Sequence, residues 1–220
     1  KCLSSLETSS MSDEQHELAI EAICESIRNG QMYQVNVGRW WSGEIKEHPR
    51  RVFQRLNEQN PAPFSAYVEV PDLGFALVCS SPESLLKSDG KSVFTSPIKG
   101  TRPRGSNMEQ EKTLRLEMVN DEKERAEHRM LVDLMRNDLS TVSKVGSVKV
   151  NRFDVEAYSQ VQHLVSLLSG VMKEESNGLD ALQAVFPGGS ITGCPRTVVC
   201  AAIDELEQRP RSFWTGSIGW

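Results

Sequence analysis

Between Tyr158 and Met172 the chain carries the pattern that most restricts its fold. Val161, His163, Val165 and Leu167 alternate with Gln162, Leu164, Ser166 and Leu168. Successive side chains of a strand point to opposite faces, so this strand is apolar on both and belongs at the centre of a sheet. The other strand signals come as hairpins. Phe64–Val70 and Phe75–Ser80 flank a Pro-Asp-Leu-Gly turn, and Leu85-Leu86 and Ser92–Thr95 flank Asp89-Gly90. Met32–Val37 alternates strictly, Ser147–Val150 reads as a short strand, and Phe213–Trp220 as a last one. Helical spacing occupies residues 13–29, 49–60, 122–142, 179–186 and 196–208, the first opened by a Ser12/Gln15 capping box. Asn107–Asp121 is charged and only weakly periodic. Hairpins without regular strand–helix–strand units predict an α+β fold of antiparallel sheets with helices outside. A single domain of 220 residues is expected, with residues 1–11 as a flexible leader.

A net charge of −5 argues against general nucleic-acid binding. No apolar run approaches the ~18 residues of a membrane span, and the first residues hold no apolar signal segment, so a cytoplasmic protein is expected. The five cysteines are irregularly spaced without a CxxC pair, against a zinc site or disulfide framework.

The chemistry gathers at glycine- and proline-shaped turns. Ser96–Gly105 holds two prolines, two glycines and three cations, a stiff frame in which Lys99 sits between Ile98 and Gly100. Locally it is either a solvated surface lysine or a desolvated nucleophile. Glu83, after Ser81-Pro82, is a turn residue unless the following hairpin brings it to the same sheet end as Lys99. Glu127, on the helix 122–142, is either a solvated carboxylate or a magnesium ligand. His163 faces packed core or a cleft. Gln34 and Asn36 share one strand face, a solvent row or a polar floor. The turn Pro187–Pro195 enters a helix, where backbone N–H groups favour an anion such as a carboxylate.

Taken in order, Tyr33-Gln34-Val35-Asn36, Ser81-Pro82-Glu83, Pro97-Ile98-Lys99-Gly100-Thr101-Arg102, the Asp121–Leu139 run with Glu127-His128 and Asn137-Asp138, His163–Ser166, Phe186–Gly193 and Gly216–Gly219 resemble the chorismate-utilising enzymes over residues 12–220. The resemblance implies a sandwich of antiparallel sheets with helices outside. It also implies magnesium at Glu127, a Lys99 nucleophile, Glu83 as general acid, and a supporting His163. Substrate contacts from Gln34, Asn36, Gly100, Thr101, Ser190, Thr192 and Gly193 are implied too. Lysine at position 99 is typical of the aminodeoxychorismate synthase branch, where anthranilate synthases carry alanine. Gln34 stands where isochorismate and salicylate synthases place lysine. The implied reaction is amination of chorismate with ammonia from a glutamine amidotransferase subunit, serving para-aminobenzoate and folate synthesis. Anthranilate synthase component I, or a silent chorismate- or partner-binding fragment, are the alternatives. Family domains continue past Gly216–Gly219 with an arginine, a glycine-rich loop and a second magnesium glutamate, and carry tyrosine where Trp220 stands. A catalytic domain incomplete at its C-terminus, weakly active or inactive alone, is therefore expected.

Overall fold

A computed structural model describes residues 8–220, which divide into two compact units, 8–47 with 187–220, and 48–186. In chain order the elements are β1 (Thr8–Ser9), α1 (Asp13–Arg28), β2 (Gln34–Val35), β3 (Trp41–Ser42), α2 (Pro49–Gln59), β4 (Phe64–Val70), β5 (Phe75–Ser81), β6 (Ser84–Ser88), β7 (Ser92–Ser96), β8 (Ile98–Pro103), α3 (Met108–Asn120), α4 (Glu122–Val142), β9 (Lys149–Ala157), β10 (Val161–Val171), α5 (Gly178–Val185), β11 (Gly193–Cys194) and α6 (Arg196–Glu207). All strand pairs are antiparallel, as the α+β reading requires.

In the second unit β10 is the central strand of a five-stranded sheet. β9 runs along one edge of it, and β7 and β8 share the other edge end to end. β7 and β8 are thus one line of chain interrupted at the buried Pro97, which has no N–H to give a ladder. The ladder continues through its carbonyl, which accepts the Ser166 N–H at 3.2 Å. The core forms where α4 covers this sheet: Leu131, Met135, Leu139 and Val142 pack with Val93, Leu168 and Met172, and α5 adds Ala181 and Val185. α4 starts on an Asp121 cap, whose carboxylate accepts the Glu124 N–H at 3.0 Å. The weakly periodic stretch before it is the helix α3, which buries only Met118 of its residues against Val155 and Leu164. β4 and β5 form the expected hairpin.

In the first unit α1 begins on the expected capping box, Ser12 with Gln15. Of the expected leader, residues 1–7 lie outside those described. From Thr8 on it belongs to the fold: Thr8 and Ser9 pair with Ser42 and Trp41, and Met11 is buried. Only Gln34–Val35 of the alternating Met32–Val37 run is strand, paired with Cys194 and Gly193. Phe213–Trp220 is not a strand. Its chain begins as turn, with Ser212 and Thr215 at positive φ, and pairs with no strand among the described residues.

Candidate active site

In the second unit the register of β8 on β10 builds the site. Leu164 faces Lys99 and His163 faces Thr101, so Gly100 is an extra residue, a bulge with φ of 70°. A positive φ favours glycine there; an added Cβ would stand 2.8 Å from Glu124 Oε2, the end of a side chain that would have to move. The bulge changes which side chains meet. The Gly100 carbonyl lies 3.0 Å from His163 Nδ1, and the Thr101 hydroxyl 3.2 Å from the same nitrogen. With Nδ1 donating to the carbonyl, a neutral His163 presents Nε2 as an acceptor. Its ring meets Tyr158 edge-on at 5.2 Å.

Lys99 Nζ lies 3.7 Å from Glu127 Oε2, and Lys123 approaches the other oxygen at 3.8 Å. Lys99 is 21% exposed and Glu127 37%. A pair this accessible contributes no more than about 1 kcal/mol, so a ligand can displace it. Beneath it His128 is fully buried, its Nε2 2.7 Å from Ser166 Oγ on β10, its ring edge-on to Phe153, its Nδ1 without a hydrogen-bond partner. Burial first, then the Lys99 charge, lowers the His128 pKa to about 4. Tyr158 is pushed up to about 12, first by burial, then by its hydrogen bond to Glu156; the Glu83 carboxylate adds a smaller push. Glu83 therefore acts on the ring that touches His163, at the sheet end where Ser84 pairs with Ser96.

In the first unit the chain segments 33–36 and 190–194 lie side by side. The Asn36 side chain donates to the Ser190 carbonyl at 2.8 Å, and the Thr192 hydroxyl to the Gly188 carbonyl at 2.9 Å. Those two side chains hold the turn's shape. Gln34 is different: both its amide atoms are buried without a hydrogen-bond partner. A donor and an acceptor left so cost about 1–3 kcal/mol each.

The chorismate binding enzyme family matches residues 3–220. This chain belongs to the chorismate-binding enzymes. It is 46% identical over 203 residues to aminodeoxychorismate synthase component 1 of Bacillus subtilis, covering 92% of this chain and 43% of that protein. It is also 46% identical over 201 residues to an anthranilate synthase component 1 of Haloarcula marismortui, covering 91% and 41%. The crystal structure of anthranilate synthase component I from Streptococcus pneumoniae superposes with a TM-score of 0.83 at 34% identity, over 93% of this chain and 45% of that one. The chain thus spans less than half the length of these relatives.

Glu127 suits magnesium in type, a half-exposed carboxylate on a rigid helix, and magnesium is commonly held by one or two carboxylates with waters and substrate oxygens. Among the described residues no group of three His, Cys, Asp or Glu side chains converges on one point. No described helix is long and apolar enough to cross a membrane.

Sequence reading missed Tyr158 and the His128–Ser166 pair as parts of this site. The available signal was Ser166 itself, a hydroxyl inside an apolar strand. The pair makes stability depend on pH. An unfolded histidine takes up its proton near pH 6.5, the native one only near 4, so acidification through that window favours unfolding. Between pH 7 and pH 4 the native state is expected to lose about 3 kcal/mol from this group. Denaturant midpoints followed against pH check it: His128→Asn should flatten that part of the profile.

Proposed function

We propose that the chain aminates chorismate at C4, giving 4-amino-4-deoxychorismate by way of a covalent bond to Lys99. The observation that carries this reading is a half-buried lysine on a bulged strand, its ammonium beside a carboxylate at 3.7 Å; the resemblance to chorismate-utilising enzymes implies lysine at this position in the aminodeoxychorismate synthase branch. The 46% identity to the Bacillus subtilis aminodeoxychorismate synthase component 1 supports it.

Lys99, as the free amine, attacks C2 of the ring. The two conjugated ring double bonds shift together, and the C4 hydroxyl leaves as water with a proton from Glu83. Ammonia then attacks C4, both double bonds shift back, and the Lys99 amine is expelled from C2, so nitrogen replaces oxygen at C4 without oxidation or reduction. His163, oriented by Gly100 and Thr101, assists proton movement in the site. Gln34 supplies the unpaired amide for a substrate oxygen, and the Ser190–Gly193 turn takes a carboxylate. Glu127 would hold magnesium, which when bound polarises the ring carboxylate. Ammonia comes from a glutamine amidotransferase partner, and the product feeds para-aminobenzoate and folate synthesis.

Anthranilate synthesis is the second reading, favoured by the equal identity to the Haloarcula marismortui protein. Chorismate, ammonium and magnesium incubated with the protein, with products separated chromatographically, decide between them. 4-Amino-4-deoxychorismate is expected; anthranilate overturns the first reading. Calorimetric binding without turnover identifies a binding fragment.

A further inference from the structure

We propose that Arg211 is a positioning residue that fixes the carboxylate-facing form of the Ser190–Gly193 turn, an inference that rests on the substrate role given to that turn. The ladder between residues 33–36 and 191–194 ends with the Asn36 N–H on the Thr192 carbonyl, 2.8 Å away. The next two carbonyls, Asn36 and Ile191, have no strand rung to enter. Arg211 supplies it: Nη2 donates to Asn36 O at 2.6 Å and Nη1 to Ile191 O at 2.8 Å. A planar guanidinium meets the two acceptors from two separate nitrogens in a fixed fork; an ammonium offers its three N–H donors from one atom.

The guanidinium charge is spent inside the fold. Glu207, at the end of α6, is 1% exposed in its side chain and accepts from Arg211 Nη2 at 2.6 Å and Nε at 2.9 Å. It also accepts the Gly38 N–H at 2.7 Å. Arg211 stacks on Trp214, 4.7 Å from the ring centroid. A cation neutralised this way does not bind the substrate anion itself. Its effect runs through the backbone. The carbonyls of Ser190, Ile191 and Thr192 are all engaged, by Asn36 Nδ2, Arg211 and Asn36 N in turn. In a trans peptide the N–H points opposite to the preceding C=O, so the Gly193 amide is turned away from the 33–36 segment, free to meet an acceptor.

The test uses Arg211→Lys and Arg211→Ala. Hydrogen exchange without substrate is expected to show the Asn36 and Thr192 amides at least about 10-fold faster in both variants, with Val199 and Ile203 in α6 still protected. Chorismate should bind both variants at least about 10-fold more weakly, KM rising while kcat holds, and added guanidinium ion should restore binding to Arg211→Ala. Unchanged exchange and affinity in both variants overturn the proposal, and so does loss of protection throughout α6, which marks a residue needed only for folding. Failure of the unaltered protein to bind chorismate overturns the substrate reading instead, and the exchange result then stands alone for the positioning role.

Discussion

Replacing Lys99 with alanine is expected to abolish formation of 4-amino-4-deoxychorismate, with a loss of at least about 10⁴-fold, the scale on which removal of a catalytic nucleophile acts. The site offers no substitute at that position. Glu127 and His128 lie on the α4 side of Lys99, the first a carboxylate and the second a neutral, buried imidazole already bound to Ser166. With the amine gone, ammonia is the nitrogen nucleophile left to reach C2, so residual product should carry nitrogen there and not at C4. Lys99→Arg should be as inactive, because it restores the cation facing Glu127 without a nucleophile. Product analysis by chromatography, with mass spectrometry of the unaltered protein for a Lys99 adduct, checks both. C4-aminated product from Lys99→Ala at the original rate would remove the covalent step from the mechanism.

How much of this was legible follows from what each residue interacts with. β10 could be read because period-two alternation is a local signal, and its two apolar faces left only the sheet centre. α4 could be read because side chains recur along it at helical spacing; the face that it buries is the one carrying His128, Leu131, Met135, Leu139 and Val142. α3 could not: it buries Met118 alone, so no apolar stripe announces it. Met32–Val37 shortened to Gln34–Val35 because the Asn36 carbonyl is taken by a guanidinium and not by a strand. The same limit governs the site. Lys99, Glu127 and His163 were nameable as types, but the Gly100 bulge that sets Lys99 and Thr101 against Leu164 and His163 is a property of register. Asn36 and Thr192, expected as substrate contacts, direct their side chains to the Ser190 and Gly188 carbonyls; sequence spacing does not reveal which acceptor a short polar side chain finds. Glu207 and Arg211 gave no sequence signal, since nothing local says the helix end is buried.

Gly193→Ala is expected to cost about 2–5 kcal/mol and to melt the turn, because two independent penalties meet at one atom. The backbone holds φ at 134°, where a side chain is strained, and the added Cβ would lie 2.0 Å from the Gln34 carbonyl oxygen. That neighbour is backbone, in the strand pair that the residue itself forms with Val35, so it cannot step aside as a side-chain end could. Relief requires β2 and β11 to separate. Separation in turn releases Asn36 from the Thr192 and Ser190 carbonyls and strips Arg211 of both backbone acceptors. The loss is a large fraction of the 5–15 kcal/mol typical of a folded protein. It should therefore appear as local opening first: rapid amide exchange in residues 33–36 and 190–194, with β10, which pairs only within its own sheet, still protected. Chorismate affinity should fall below detection in the same variant. Retention of wild-type exchange and affinity would mean that the turn does not need the close approach on which both the carboxylate site and the Arg211 clamp depend.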